Sequence, residues 1–358
     1  MLWQPGLQLC QAFYAEAVGP LLDQAYPGLP HAAARIGPGS EVLGFDTERS
    51  ADHDWGPRLD LFLTPEDVSA HAAGIRELLS ARLPKRFHGW PTNFEPPDAR
   101  VRVMTPTGGP VAHRVLVADV GSWCQRQLGF EPRGGVTTLD WLATPGQRLA
   151  EVTGGAVFHD GIGELSLVRE RLSWYPDDVW RYVLACQWLR IAEEEPFVGR
   201  TAEAGDERGS RVLAARLARD VMRLCLLLAR RFPPYSKWLG TAFAALEETT
   251  PIGAALDEAL EGDAAGRQDA LCTTYELAGQ WQNSLGLAEP VEVTRRPFHD
   301  RPFAVIGAGR FAAALLASIS DRRIAALSPV GAIDQFSDNT AVLTSPSLAR
   351  ALTAQSMM

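Results

Sequence analysis

Apolar positions within residues 6–25 recur at helical spacing: Leu7, Cys10, Phe13, Tyr14, Ala17, Leu21 and Leu22, with Pro27 and Gly28 to stop the run. That period predicts a helix. Ala32 to Ile36 reads as a short apolar strand entering the turn Gly37-Pro38-Gly39-Ser40, and Leu59 to Leu63 reads as a second strand. Pro65 opens a predicted helix to about Leu83, with Ile75, Leu78 and Leu79 on its apolar face. The segment 84–99, rich in Pro, Gly and aromatic residues, predicts a surface loop. Val101 to Met104 and Val111 to Val120 read as two strands joined by Thr107-Gly108-Gly109-Pro110, a hairpin-type turn. Beyond residue 138 the pattern becomes helical, over 176–194, 209–231, 236–248, 251–262, 266–286 and 310–319. The clearest of these is 209–231, where Leu213, Leu217, Leu224 and Leu228 form one stripe and Pro233-Pro234 ends it. The pattern predicts an α+β protein: a small mixed-sheet domain over 1–125, then a larger, mainly helical domain over 126–358.

Length and composition agree with two domains. The chain has 358 residues, and a domain takes roughly 150. Its net charge of −9 argues against a grip on an extended nucleic-acid backbone, which calls for a basic patch or stripe. A small substrate is expected instead. Five cysteines are scattered with no CxxC pair, so no zinc site is expected. The N-terminus shows no basic-then-apolar signal pattern. No apolar run approaches the ~20 residues of a membrane span. A cytoplasmic protein is expected.

Candidate chemistry concentrates in residues 39–63. Gly39-Ser40 precedes Asp52-His53-Asp54 by about a dozen residues, and an apolar run follows. On a strand, residues two apart face the same way, so Asp52 and Asp54 are expected to present two carboxylates to one point. His53 is expected to face away. Hard cations such as Mg²⁺ take oxygen ligands and bridge carboxylates to phosphates, and a Gly-Ser turn supplies backbone N–H groups for those phosphates. The set points to metal-dependent chemistry on a nucleoside triphosphate. Arg58 either reaches a phosphate or makes a surface salt bridge, and Trp55 either stacks on a base or fills the core. In the helical part, Arg216, Arg219 and Arg223 share one helix face and are either triphosphate contacts or a solvated face. Asp206 and Glu207 are either an acceptor-side base or, more simply, a cap on the helix starting near Gly209-Ser210. Glu193-Glu194-Glu195 reads as a solvated helix end. His159-Asp160 lies in a Gly-rich loop with no identifiable partner.

The Gly-Ser turn, spacer and Asp-x-Asp resemble the nucleotidyltransferase superfamily, the polymerase-β-like fold. The fuller string Gly39-Ser40…Ser50-Ala51-Asp52-His53-Asp54-Trp55-Gly56-Pro57-Arg58 resembles the DUF4037 branch. So do Asp140-Trp141-Leu142, Gly154-Gly155-Ala156-Val157-Phe158-His159-Asp160, Gly205-Asp206-Glu207-Arg208-Gly209-Ser210, Pro234-Tyr235-Ser236-Lys237-Trp238 and Gly331-Ala332-Ile333-Asp334-Gln335-Phe336. The resemblance implies that Asp52 and Asp54 hold Mg²⁺ on the triphosphate and that Gly39 and Ser40 hold its phosphates. It also implies a third acid on a neighbouring strand. Asp119 is the first candidate, as ligand or as a strand-end cap, and Asp60 is the next. Leu116, where some relatives carry an acid, cannot bind metal. Lys237 resembles a lysine that approaches the nucleotide phosphates in antibiotic nucleotidyltransferases with helical C-terminal domains.

The expected activity is Mg²⁺-dependent transfer of a nucleoside monophosphate, AMP from ATP, to a hydroxyl of a small molecule, with release of pyrophosphate. Two alternatives stay open: transfer to a protein side chain, and nucleotide binding without turnover.

Overall fold

The computed structural model describes residues 3–96 and 101–357. Part of the expected loop 84–99 therefore lies outside the described residues. In chain order the elements are α1 (Gly6–Phe13), α2 (Gly19–Ala25), β1 (Ala32–Arg35), β2 (Arg58–Phe62), α3 (Pro65–Arg82), β3 (Arg86–Phe87), β4 (Trp90–Pro91), β5 (Arg114–Ala118) and α4 (Val120–Leu128). There follow α5 (Thr138–Ala143), α6 (Gly146–Thr153), β6 (Ala156–Asp160), α7 (Glu164–Arg171), α8 (Asp177–Glu203), α9 (Glu207–Leu228), α10 (Ser236–Ala244), α11 (Thr250–Glu261) and α12 (Ala264–Ser284). The last are β7 (Arg296–Pro297), β8 (Ala304–Val305), α13 (Gly309–Ala317), α14 (Arg322–Ala325), α15 (Ile333–Phe336), α16 (Thr340–Leu343) and α17 (Pro346–Ser356). The expected α+β class holds, with a small mixed sheet and a larger helical part.

The chain divides into two compact units, one of residues 1–136 and 148–173, the other of 137–147 and 174–358. This division does not follow the expected cut at residue 125. The reason is β6, which returns to pair with β1 and so draws 148–173 into the first unit.

In the first unit, the order among the described residues is β5-β2-β1-β6. β1 is antiparallel to both β2 and β6, and β2 is parallel to β5. The expected hairpin 101–120 is therefore absent. Met104 makes only an isolated bridge to Phe94, and β5 joins the sheet beside β2 instead. Strand alternation sorts the side chains. Leu59, Leu61, Val115 and Val117 enter the core with Leu9, Phe13, Leu22, Ile75 and Leu79 from α1, α2 and α3. Arg58, Asp60, Arg114 and Leu116 hold the alternate positions. Trp55 belongs to the core, the second of its two readings.

The second unit contains the expected helices. Trp180 of α8 donates to the carbonyl of Leu227 on α9 at 2.9 Å, and Trp188 stacks on Phe311 of α13 with ring centroids 4.6 Å apart. Leu217, Leu224 and Leu228 of the predicted stripe are buried. The Glu193–Glu195 run is not a helix end, because α8 continues through Pro196 to Glu203. Glu195 is buried and accepts from Ile306 N at 3.1 Å and Ala308 N at 2.8 Å. Its carboxylate thus fills the glycine turn Gly307-Ala308-Gly309 that opens α13. Among the described residues, no helix is long and apolar enough to cross a membrane.

Candidate functional site

Strand directions decide what can meet. β1 ends where β2 begins, since Ala32 pairs with Phe62 and Ala34 with Asp60. β5 runs parallel to β2, so Arg114 starts level with Arg58. β6 begins beside Arg35, which pairs with Ala156. The Gly37–Ser40 turn, Asp54, Arg58, Arg114 and Gly154-Gly155 therefore gather at one end of the sheet.

The turn rests on buried charge. Arg35 Nε donates to Glu41 Oε1 at 2.8 Å, and both side chains are 2% exposed. The same guanidinium donates to the carbonyls of Ile36 and Pro38, each at 2.5 Å, and reaches Asp60 Oδ2 at 3.4 Å. Asp60 also accepts from Ile36 N at 3.2 Å. A Cβ on Gly39 would lie 2.5 Å from Arg35 Nη2 and 2.6 Å from Glu41 Oε2, so only glycine fits above the pair. Burial raises the Glu41 carboxyl, but Arg35 and Arg58 outweigh it and the pKa falls below the usual range. Asp60 goes the other way, pushed up by burial against the pull of Arg35. Asp60 is thus a structural acceptor beneath the turn.

The two aspartates are not on a strand. Asp52 ends a 3₁₀ turn, Glu48–Asp52, and Asp54 has a left-handed backbone with φ of 49°. Gly56, with φ of 129°, and Pro57 precede β2, so extended structure begins only at Arg58. The expected same-face geometry fails for that reason. His53 does not face away: its Nδ1 lies 2.8 Å from Asp52 Oδ1. Asp54 Oδ1 accepts from Arg114 Nη1, its carbonyl accepts from Arg58 Nη1, and its N–H donates to the carbonyl of Arg102 at 2.9 Å.

Arg58 is not a surface residue. It is 12% exposed and lies 3.7 Å from Glu41. Burial, then the charges of Arg35 and Arg114, push its pKa down to about 9 despite Glu41 and Asp60. Arg102 is lowered by burial and by Arg114, with Asp54 pulling it up. Arg35, Arg58, Arg102 and Arg114 thus share this end with the carboxylates of Glu41, Asp54 and Asp60.

The third acid does not join the first two. Asp119 follows β5 and caps α4, accepting from Ser122 N at 2.8 Å. Burial opposes its ionisation, but the Ser122 bonds and Arg133 hold its pKa below the usual range. Arg114 and Asp119 sit at opposite ends of β5, and five residues of strand span roughly 16 Å. Leu116, level with Asp60, is 39% exposed. Among the described residues, no three His, Cys, Asp or Glu side chains are placed to hold a metal together. Asp52, exposed and against His53, and Asp54, at the sheet end, supply carboxylate oxygens of the kind Mg²⁺ shares with phosphates. They do not make an all-protein cage.

The helical unit places its candidates otherwise. Arg216 pairs with Glu194 at 2.7 Å, Arg219 with Asp338 at 3.6 Å and Arg223 with Asp334 at 3.0 Å. The stripe is an ion-paired face. Arg223 is buried, and Asp334 also accepts from Gly146 N at 2.9 Å. Lys237 is exposed, its Nζ 4.7 Å from the centroid of Trp238. Asp206 caps α9 through Gly209 N at 2.8 Å, and Glu207 pairs with Arg267 at 2.6 Å. His159 and Asp160 belong to β6. His159 packs on His31 at 4.7 Å between centroids, and Asp160 caps α7 through Ser166 N at 2.8 Å.

Sequence reasoning missed Arg35, Glu41, Arg102 and Arg114, which no motif marks. It also missed Asp46, which accepts from Gly6 N at 2.7 Å and from Trp55 Nε1 at 3.1 Å and so ties the motif segment to α1.

Residues 141–239 match the family described as "Domain of unknown function (DUF4037)", the branch whose motifs the sequence resembles. The Gly-Ser turn and the aspartates lie outside that matched segment. No curated protein matches the chain. It is similar to the crystal structure of a nucleotidyltransferase-like protein from Exiguobacterium sibiricum 255-15, at 14% identity and a TM-score of 0.30, over 82% of this chain and 83% of that one. An overlap that loose carries no argument about the site.

Proposed function

We propose that the protein binds a nucleoside triphosphate with Mg²⁺ at this sheet end and transfers a nucleoside monophosphate, AMP from ATP, to a hydroxyl of a small molecule. One observation supports this reading above the others: the Gly37–Ser40 turn and Asp54 meet at one end of one sheet, among Arg58, Arg102 and Arg114. Backbone N–H groups of such a turn suit phosphate oxygens, and the arginine fork suits them in pairs. Asp52 and Asp54 would hold the Mg²⁺, with phosphates and water completing its oxygen shell. The metal, when bound, would neutralise triphosphate charge. The acceptor oxygen would bond to the α-phosphorus as the bond to the bridging oxygen breaks. Pyrophosphate would leave, and the hydroxyl proton would pass to water. Positioning and charge supply most of the rate in such a transfer.

The test is a pyrophosphate-release screen, the four NTPs crossed with hydroxylated metabolites and aminoglycoside-like compounds. Release that needs Mg²⁺ and disappears in Asp52→Asn and Asp54→Asn supports the reading. Release that both variants retain in full overturns it.

A second reading is nucleotide binding without turnover. The separation of Asp119 from Asp54, with Leu116 exposed on the intervening strand, favours it. Tight binding of Mg²⁺-ATP with no pyrophosphate from any acceptor would decide for it.

A further inference from the structure

The bond between Arg114 and Asp54 bears on how a metal reaches the site. Arg114 Nη1 donates to Asp54 Oδ1, one of the two oxygens that Asp54 could offer a cation. The backbone of Asp54 is held beside the guanidinium, since Arg58 binds its carbonyl and the carbonyl of Arg102 binds its N–H. A guanidinium and a divalent cation on one carboxylate repel each other and so compete for it. Arg114 is 16% exposed and lies 5.6 Å from the centroid of Phe94. Its neighbours Arg58 and Arg102 are cations too, Arg58 facing Glu41 and Asp60 and Arg102 facing Asp54.

We propose that Arg114 is a positioning residue that exchanges partners. It neutralises Asp54 while no nucleotide is bound. When a triphosphate arrives it turns to a phosphate and frees Asp54 for the metal. Nucleotide and metal therefore enter as a couple, and a free divalent cation does not load the site. This rests on the triphosphate reading above for the second partner, and on the observed ion pair for the first.

The test uses the full chain and Mn²⁺ as a spectroscopic stand-in for Mg²⁺, titrated without nucleotide. Wild-type protein is expected to bind Mn²⁺ poorly. Arg114→Gln is expected to bind it about ten- to a thousandfold more tightly, the range by which an adjacent opposite charge biases a carboxylate. Asp54→Asn in that background is expected to abolish the gain. Arg114→Lys, which keeps the charge without the fork, is expected to fall between the two and serves if Arg114→Gln does not fold. Equal Mn²⁺ binding by wild type and whichever Arg114 variant folds overturns the exchange, even where Mg²⁺-ATP binds. A gain in the variant with no ATP binding by either protein sustains the latch on Asp54 and overturns the triphosphate reading with the exchange built on it.

Discussion

Arg35 and Glu41, six residues apart in sequence, close a salt bridge of 2.8 Å beneath the Gly37–Ser40 turn, both side chains 2% exposed. The pair fixes the turn by occupying the space under Gly39 and by holding the carbonyls of Ile36 and Pro38 on one guanidinium. Removing one partner of a buried pair leaves the other charge uncompensated. Glu41→Ala is therefore expected to cost about 3–5 kcal/mol in the first unit. Denaturant unfolding followed by Trp fluorescence measures it. A loss under about 1 kcal/mol, the worth of a surface pair, would mean that the bridge does not support the turn.

Gly155 joins β6 to the turn. Its φ is 65°, and a Cβ there would run into the carbonyl of Arg35. A left-handed backbone costs a residue with a Cβ about 1–2 kcal/mol, and the clash adds to that. Gly155→Ala is expected to destabilise the first unit by at least about 2 kcal/mol. Gly108→Ala is the control, since nothing lies within 4 Å of a Cβ at Gly108. Equal melting temperatures for the two variants would refute the requirement.

His113 gives stability a pH dependence. Its Nδ1 accepts from Val115 N at 3.1 Å and its Nε2 faces the carbonyl of Arg76 at 3.1 Å, so the folded ring is neutral with its proton on Nε2. Burial lowers its pKa, and the charges of Arg76 and Arg102 act in the same direction, against the Arg76 carbonyl. The unfolded chain then takes up a proton near pH 6.5 that the folded chain refuses. Stability from this group is present above that pH and is lost as pH falls from there toward the lower folded pKa. His113→Gln is expected to flatten the acid limb of the stability curve below about pH 6.5. Identical limbs for variant and wild type would contradict it.

The helices were legible because their apolar period is long and repeated, as in Leu217, Leu224 and Leu228 of α9. The Gly-Ser turn was legible because β1 runs straight into it. The aspartates were misplaced onto a strand because Gly56-Pro57 delays β2 to Arg58, and a turn separates what the motif spacing joins. The parallel partnership of β2 and β5 was hidden because Thr107-Gly108-Gly109-Pro110 has the composition of a hairpin. The charges that define the site, Arg35 with Glu41 and Arg114 with Asp54, were not legible at all. Arg114 and Asp54 lie 60 residues apart in sequence, and pairs of that kind are made by strand register rather than by local spacing.

The central claim is that the sheet end holding Gly39, Ser40 and Asp54 takes a metal-bound triphosphate. Calorimetric titration of Mg²⁺-ATP into wild type and Asp54→Asn tests it most directly. Asparagine tolerates the left-handed backbone at this position, so the substitution removes the charge and leaves the turn. Wild type is expected to bind, and Asp54→Asn to bind at least about tenfold more weakly, as when one nearby charge is lost. Equal affinity for the two proteins would contradict the account.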